Sequence, residues 1–356
     1  MSKSRIGNFF EDFEPGQMLR HGVPRTLSEG DRTLYIGLTG SRSALNTAAT
    51  TASALGLRSA PMEDLLVFNV VFGKTVPELS LNAIANLGYA DARFLRPVHA
   101  GDTLAVTSQV LGTKENSSGK SGVVYVRSIA TNQRDEAVLT FVRWVMVHKR
   151  AADGAAAPAL PVPPLPSHVD ASRLIVPAFI EPASVTRVTG FDDLWEDYAA
   201  GERIDHIGSM TVNDSDHSIA ARLYQNTAKA HFDAHLMAQS TAGQRLVYGG
   251  HVMSICRSLA YDGLENCLGM LAINGGSHVA PVFAGDTLSC VTQVMETYAL
   301  SGQLGALRLR TIGAKNVGTA RAIALPDANA PKSRFPAEVV LDLDYTVVIP
   351  KKQLRL

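Results

Sequence analysis

PVHAGDTLAVTSQVL, running from Pro97 to Leu111, returns as PVFAGDTLSCVTQVM from Pro281 to Met295, with nine of fifteen positions identical and no gap. The offset is 184 residues, and it persists outward from this stretch. Upstream, EDFEPGQMLRH (Glu11 to His21) answers EDYAAGERIDH (Glu196 to His206) at an offset of 185, with Asp31 and Asp216 in the same register. Val126 to Ile129 faces Leu309 to Ile312 at 183, and LVF at Leu66 to Phe68 is set against LVY at Leu246 to Tyr248 at 180. One Ala-Gly-Asp turn before a strand is a common local solution, since Gly and Asp are turn formers. Several matches in order are not explained that way, and the chain reads as one module of about 145 residues, duplicated.

Each module opens with a polar stretch and a Gly turn (Gly16, Gly201), then a helical segment, Asp31 to Gly40 or Asp216 to Thr227. An apolar helix follows: VVFGKTVPELSLNAIANLG, interrupted by Pro77, in the first copy and HVMSICRSLAYDGL in the second. The rest has strand texture, alternating or fully apolar: Tyr89–Leu95, Leu104–Leu111, Val123–Ala130 and Val138–Val147, then Leu288–Val294, Ala306–Ile312 and Val339–Ile349. One buried helix with about four antiparallel strands per module makes the fold class α+β. AADGAAAPALPVPPLPSH, Ala151 to His168, holds five prolines and reads as a connector with no core of its own. The boundaries follow as 1–150, a connector at 151–173, and 174–356.

The composition closes several doors. Lys+Arg and Asp+Glu are 33 each, whereas a nucleic-acid binder normally shows a basic excess. Three cysteines, Cys256, Cys267 and Cys290, have no metal-ligand spacing and suit a reducing compartment. No apolar run reaches membrane-spanning length, and MSKSRIGNFF lacks the core of a signal peptide, so a cytoplasmic protein is expected. Gly119-Lys120-Ser121 lacks the earlier glycine of a phosphate loop and lies between strands, which makes it a hairpin tip.

The segment Tyr224-Gln-Asn-Thr-Ala-Lys-Ala-His-Phe-Asp233, followed by Leu246-Val-Tyr-Gly-Gly-His-Val-Met253, carries the chemistry. It resembles the signature of MaoC-like hotdog hydratases, Gly-Asp-x-Asn-Pro-x-His-x-Asp, then His-Gly opening the central helix. GNFFEDFEPGQ, GLTGSRSALNT and ANLGYADARFLRPVHAGDTL are similar, within that group, to the mesaconyl-CoA hydratase family. The resemblance implies a tandem (double) hotdog, each unit a curved antiparallel sheet round a central helix. It also implies a hydro-lyase acting on an acyl-CoA thioester, adding water to mesaconyl-CoA to give β-methylmalyl-CoA, with no metal or redox cofactor. A homo-oligomer is expected, with neither nucleic acid nor membrane as partner. A broader enoyl-CoA hydratase, an acyl-CoA thioesterase and a non-catalytic acyl-CoA-binding protein are the competing readings.

Residue by residue, His231 falls on the motif's catalytic histidine and Asp233 on the acid two further on. The family's aspartate falls on Asn226, its Asn on Ala228 and its Pro on Lys229. In the first copy the corresponding positions are Ser41 and Asn46, so that half is expected to be silent. Histidine suits proton traffic because its pKa lies near neutrality. Asn226 is assigned to position water and Asp233 to orient the ring. Backbone N–H groups of Gly249 and Gly250 at a helix start can stabilise charge on a thioester oxygen. A free substrate carboxylate calls for a cation, with Lys229, Arg222 and Arg257 as candidates, and Tyr248 is assigned to the pocket wall.

Overall fold

The computed structural model describes residues 3, 6–150, 162, 164–300, 302–327 and 329–352. Among these residues, ten antiparallel strands form one sheet in the order β1-β3-β4-β5-β2-β7-β10-β9-β8-β6. The first five are β1 (Met18–Thr26), β2 (Ala83–Phe94), β3 (Thr103–Glu115), β4 (Ser121–Thr131) and β5 (Ala137–His148). The second five are β6 (Arg203–Thr211), β7 (Gly269–His278), β8 (Thr287–Ala299), β9 (Leu304–Lys315) and β10 (Val339–Pro350). The order is a palindrome about the β2–β7 pair, so each copy of the repeat contributes one five-stranded half of the continuous sheet. Tyr89 pairs with Gly276 and Ala90 with Gly275 at that seam, where Gly276 accommodates the Tyr89 ring: a Cβ there would stand 3.1 Å from it.

The helices are α1 (Glu29–Thr39), α2 (Ala44–Thr47), α3 (Ala49–Ala54), α4 (Asp64–Leu79), α5 (Thr186–Thr189), α6 (Asp214–Leu223), α7 (Lys229–Phe232), α8 (Ala234–Ala238) and α9 (Gly249–Leu259). A helix apolar on every side must be enclosed, and α4, DLLVFNVVFGKTVPEL, is buried almost throughout. It and α9 are the two central helices, and they meet across the pseudo-twofold relation between the copies. Asn69 Nδ2 of α4 donates to Gly250 O at 3.1 Å and to Ser254 Oγ at 3.0 Å on α9. Their side chains, with both sheets' inner faces, make one continuous core. The α+β tandem arrangement expected from the sequence is the one observed.

Three expectations are corrected. Each copy has five strands, not about four, because β1 and β6 are polar edge strands with little apolar alternation. Helix α4 runs two residues past Pro77; the proline removes the i→i−4 bond to the carbonyl of residue 73, but so close to the helix end that only one further turn depends on it. The LVF/LVY pairing is out of register: Met62 N donates to Val98 O and Val247 N to Val282 O, so position 62 matches 247, an offset of 185. Leu66 to Phe68 lies inside α4, whereas Leu246 to Tyr248 precedes α9.

Residues 151–161 and 163 of the proposed connector lie outside the described residues. Its later part is built into the fold. Val169 is buried and donates its N–H to Asn274 Oδ1, and Leu174 and Val185 join an apolar cluster with Leu45, Leu55 and Leu271. Gly119 turns the β3–β4 hairpin, and Cys256, Cys267 and Cys290 are buried and free. Among the described residues no helix is long and apolar enough to cross a membrane.

Candidate active site

The site begins with a turn. After α6, Gln225 takes a left-handed backbone (φ 52°), and Asn226 Oδ1 accepts the Ala228 N–H at 3.1 Å, which sets up the single turn of α7. That turn carries His231 into a cavity of about 320 Å³ whose walls also include Asn226, Tyr248 and Gly249. His231 Nδ1 lies 2.9 Å from Leu246 O. A carbonyl only accepts, so Nδ1 bears the proton and Nε2 keeps its lone pair. Burial pushes the imidazole down to about 4, so it is neutral at pH 7. The Tyr248 ring stands 5.5 Å from it, centroid to centroid.

Asp233 does not orient this ring. Its Oδ1 accepts the Leu236 N–H at 2.9 Å and caps α8, and the residue is exposed. The carbonyl of Leu246 does the work assigned to it. The two glycines at the start of α9 also part company. Gly249 lines the cavity, and a Cβ there would lie 2.5 Å from the His278 ring. Gly250 faces the other central helix instead, where a Cβ would meet Asn69 Oδ1 at 1.9 Å. Neither N–H has a backbone acceptor among the described residues, as expected for the first turn of a helix.

None of the three cations proposed from the sequence lines this cavity. Lys229 points to solvent, and exposed Arg222 bonds back to Ser218 O. Arg257 lies in a separate cavity with Glu63 and Asp64. The cavity has a cation all the same: Arg143 of β5, fully buried, from the first copy. A second imidazole is present too. His278, at the end of β7, shares a 3.0 Å hydrogen bond with the Tyr89 hydroxyl of β2, and burial with the nearby His231 ring pushes it down to about 4. Sequence reasoning missed both residues because neither is near the motif; only the β2–β7 seam unites them.

The other half holds the twin of this cleft. Asn46 Nδ2 donates to Pro61 O at 3.1 Å, 185 residues before His231 and Leu246. Glu63 stands in the place of Tyr248, hydrogen-bonded to Ser41. The space is reduced to two cavities of about 30 and 70 Å³, and Ile175, Pro177 and Phe179 of the segment joining the copies wall the second. The twin therefore has neither an imidazole nor the room, as its Ser41 and Asn46 suggest.

Comparison with known proteins agrees. A family model described as mesaconyl-CoA hydratase matches residues 2–313. The chain is 48% identical over 354 residues to a beta-methylmalyl-CoA dehydratase of Chloroflexus aurantiacus, covering 99% of each. It is 46% identical to a mesaconyl-CoA hydratase of Cereibacter sphaeroides, over 98% of this chain and 100% of that one. A solved MaoC domain protein of Chloroflexus aurantiacus superposes with a TM-score of 0.95 at 46% identity, covering 99% and 100% of the two chains. A double-hotdog protein of Mycobacterium tuberculosis gives 0.69 at 26% identity, covering 96% and 98%. The duplicated sheet, the histidine cleft kept in one half and these full-length likenesses lead to one conclusion: the chain belongs to the mesaconyl-CoA hydratase family.

Proposed function

We propose that this enzyme reversibly hydrates mesaconyl-CoA to β-methylmalyl-CoA in the cleft of the second copy. The observation that carries the mechanism is the tautomer of His231, fixed by Leu246 O so that Nε2 is a neutral base inside the cavity. As a water oxygen bonds to C3, Nε2 takes one of its protons and the C2=C3 electrons move onto the thioester oxygen. The Gly249 N–H at the start of α9 donates to that oxygen, where the helix dipole favours negative charge. The imidazolium then delivers its proton to C2, the carbonyl re-forms, and the neutral ring is restored. Asn226 holds the attacking water with its carboxamide NH2, since its Oδ1 is tied to Ala228.

An asparagine at that position cannot share the proton, so one imidazole carries both transfers. Its depressed basicity makes the imidazolium a strong acid toward carbon, which the protonation of C2 requires. Thioester hydrolysis is disfavoured because the cavity wall contains no Asp or Glu to direct water at the carbonyl. The same proposal includes a cytoplasmic homo-oligomer and a reaction needing no metal or redox cofactor. Mass spectrometry of mesaconyl-, crotonyl- and longer enoyl-CoA incubations tests it. Gain of one water on mesaconyl-CoA without thiol release is expected; thiol release, or no change in any substrate, contradicts it.

A further inference from the structure

Arg143 is a buried cation without an anion. Its residue surface is 0% exposed, and it makes no ion pair with any described residue. Nη2 is held by Thr75 Oγ1 at 2.9 Å and Ser80 Oγ at 3.4 Å, while Nε and Nη1 have no hydrogen-bond partner among the described residues. The guanidinium lies 4.1 Å over the Phe72 ring. Burial lowers it only to about 10, so it stays charged. A lone buried charge is costly unless something pairs with it, and among the described residues no acidic one lines the cavity. On the same wall, the Asn86 amide oxygen and nitrogen are both buried and both unpartnered.

The twin cleft supplies a contrast. By strand register, Val126 pairs with Arg143 and Leu309 with Tyr345, so Tyr345 occupies the position corresponding to Arg143. The cation there comes from the helix instead: Arg257, 6.0 Å over the Tyr345 ring, with Glu63 and Asp64 lining the same cavity. That half carries its own anions. The half with the imidazole leaves the anion out.

We propose that Arg143, with Asn86 beside it, is the receptor for the substrate's free carboxylate, supplied by the copy that lacks the histidine; this rests on the reaction assigned above. In mesaconyl-CoA the carboxylate is bonded to the carbon that water attacks. A fixed guanidinium gripping it therefore holds that carbon in place before His231. Thr75 and Ser80 preset the guanidinium, so little freedom is lost on binding. The duplicated chain thus divides its labour: one copy performs the proton chemistry and the other selects the acid-bearing enoyl thioester. A site built to hold a polar group rejects the analogue that lacks it, because its own buried groups are then left unpaired.

The test uses the full-length enzyme with mesaconyl-CoA and with crotonyl-CoA, which has no carboxylate. Arg143→Met is expected to lower the ratio of the two kcat/KM values at least a hundredfold, and Arg143→Lys to restore part of it. An unchanged ratio overturns the proposal, whether both activities fall together or neither does. Inhibition of the unaltered enzyme avoids any dependence on a variant's folding: succinyl-CoA should compete at least tenfold more tightly than butyryl-CoA, and equal inhibition overturns the proposal. Failure of the reaction assignment looks different, since the unaltered enzyme would then hydrate neither enoyl thioester.

Discussion

Gly73 on α4 tests whether one copy positions the machinery of the other. A Cβ built there would stand 1.9 Å from the carbonyl oxygen of Tyr224 and 3.1 Å from Asn226 N. Both are backbone atoms of the turn that presents Asn226, so no flexible side-chain end can swing away. Gly73→Ala must part the helix and the turn by more than an ångström to reach an ordinary contact. Overpacking of this kind costs about 1–3 kcal/mol, offset by up to about 1 kcal/mol from replacing a helical glycine. With the full offset the net loss is about 0–2 kcal/mol, a fall in Tm of up to roughly 8 °C for units of this size. Activity should suffer more than stability, because a displacement of about 1 Å at a reacting centre costs on the order of a hundredfold. Gly37→Ala on α1 is the control: a Cβ there meets nothing within 4 Å, so stability should hold or rise. Scanning calorimetry and kcat with mesaconyl-CoA are the assays. A Gly73→Ala enzyme with unchanged Tm and kcat refutes the reasoning.

Three further predictions follow from the chemistry. With His231 pushed down to about 4 by burial, the neutral form dominates at all higher pH, so kcat/KM should stay flat from pH 8 to 5 and fall only as pH approaches 4. A decline centred near 6.5 contradicts a buried neutral base. Asp233→Ala should remove a helix cap worth about 1 kcal/mol, seen in denaturant melts, while kcat/KM changes less than about threefold; a collapse of activity would return to Asp233 the orienting role. His251 is fully buried, both ring nitrogens lack partners among the described residues, and burial lowers it to about 4. The folded state thus binds fewer protons than the unfolded one between about pH 6.5 and 4. Its contribution is full above that window and is lost as pH falls through it, by up to about 1.4 kcal/mol per pH unit. His251→Leu should make the decline in urea-unfolding free energy from pH 7 to 5 correspondingly shallower, and an unchanged slope would count against that.

Much of the architecture was written in the repeat. The Ala-Gly-Asp turns, the paired offsets and the Ser41/Asn46 substitution placed two equivalent modules and identified which keeps the imidazole. The motif led to His231, Asn226, Tyr248 and Gly249, which do share one cavity. The failures have physical causes. A motif is local, so it suggested cations nearby in sequence, whereas the cavity draws its guanidinium from β5, 88 positions before His231. His278 and Asn86 were invisible for the same reason: strand pairing and helix packing between copies join them to the site. Asp233 shows how the pattern His-x-Asp admits two meanings. Across a turn of helix the carboxylate reaches the N–H of Leu236 ahead of it, not the ring behind it. Gly250 served a contact with Asn69 that only a view of both central helices could disclose.

His231→Asn puts the proton chemistry of the cleft to the test. This change gives the second copy the residue that the first already carries, and Asn46 shows that an amide can donate to the equivalent carbonyl, Pro61 O, without disturbing the turn. Hydration of mesaconyl-CoA, followed by loss of enoyl-thioester absorbance, should then fall by about 10²–10⁴-fold, the range for losing a general acid–base group, with Tm little changed. A folded His231→Asn enzyme that hydrates within tenfold of the original would contradict the account, because the proton would have to travel by a route that avoids this imidazole.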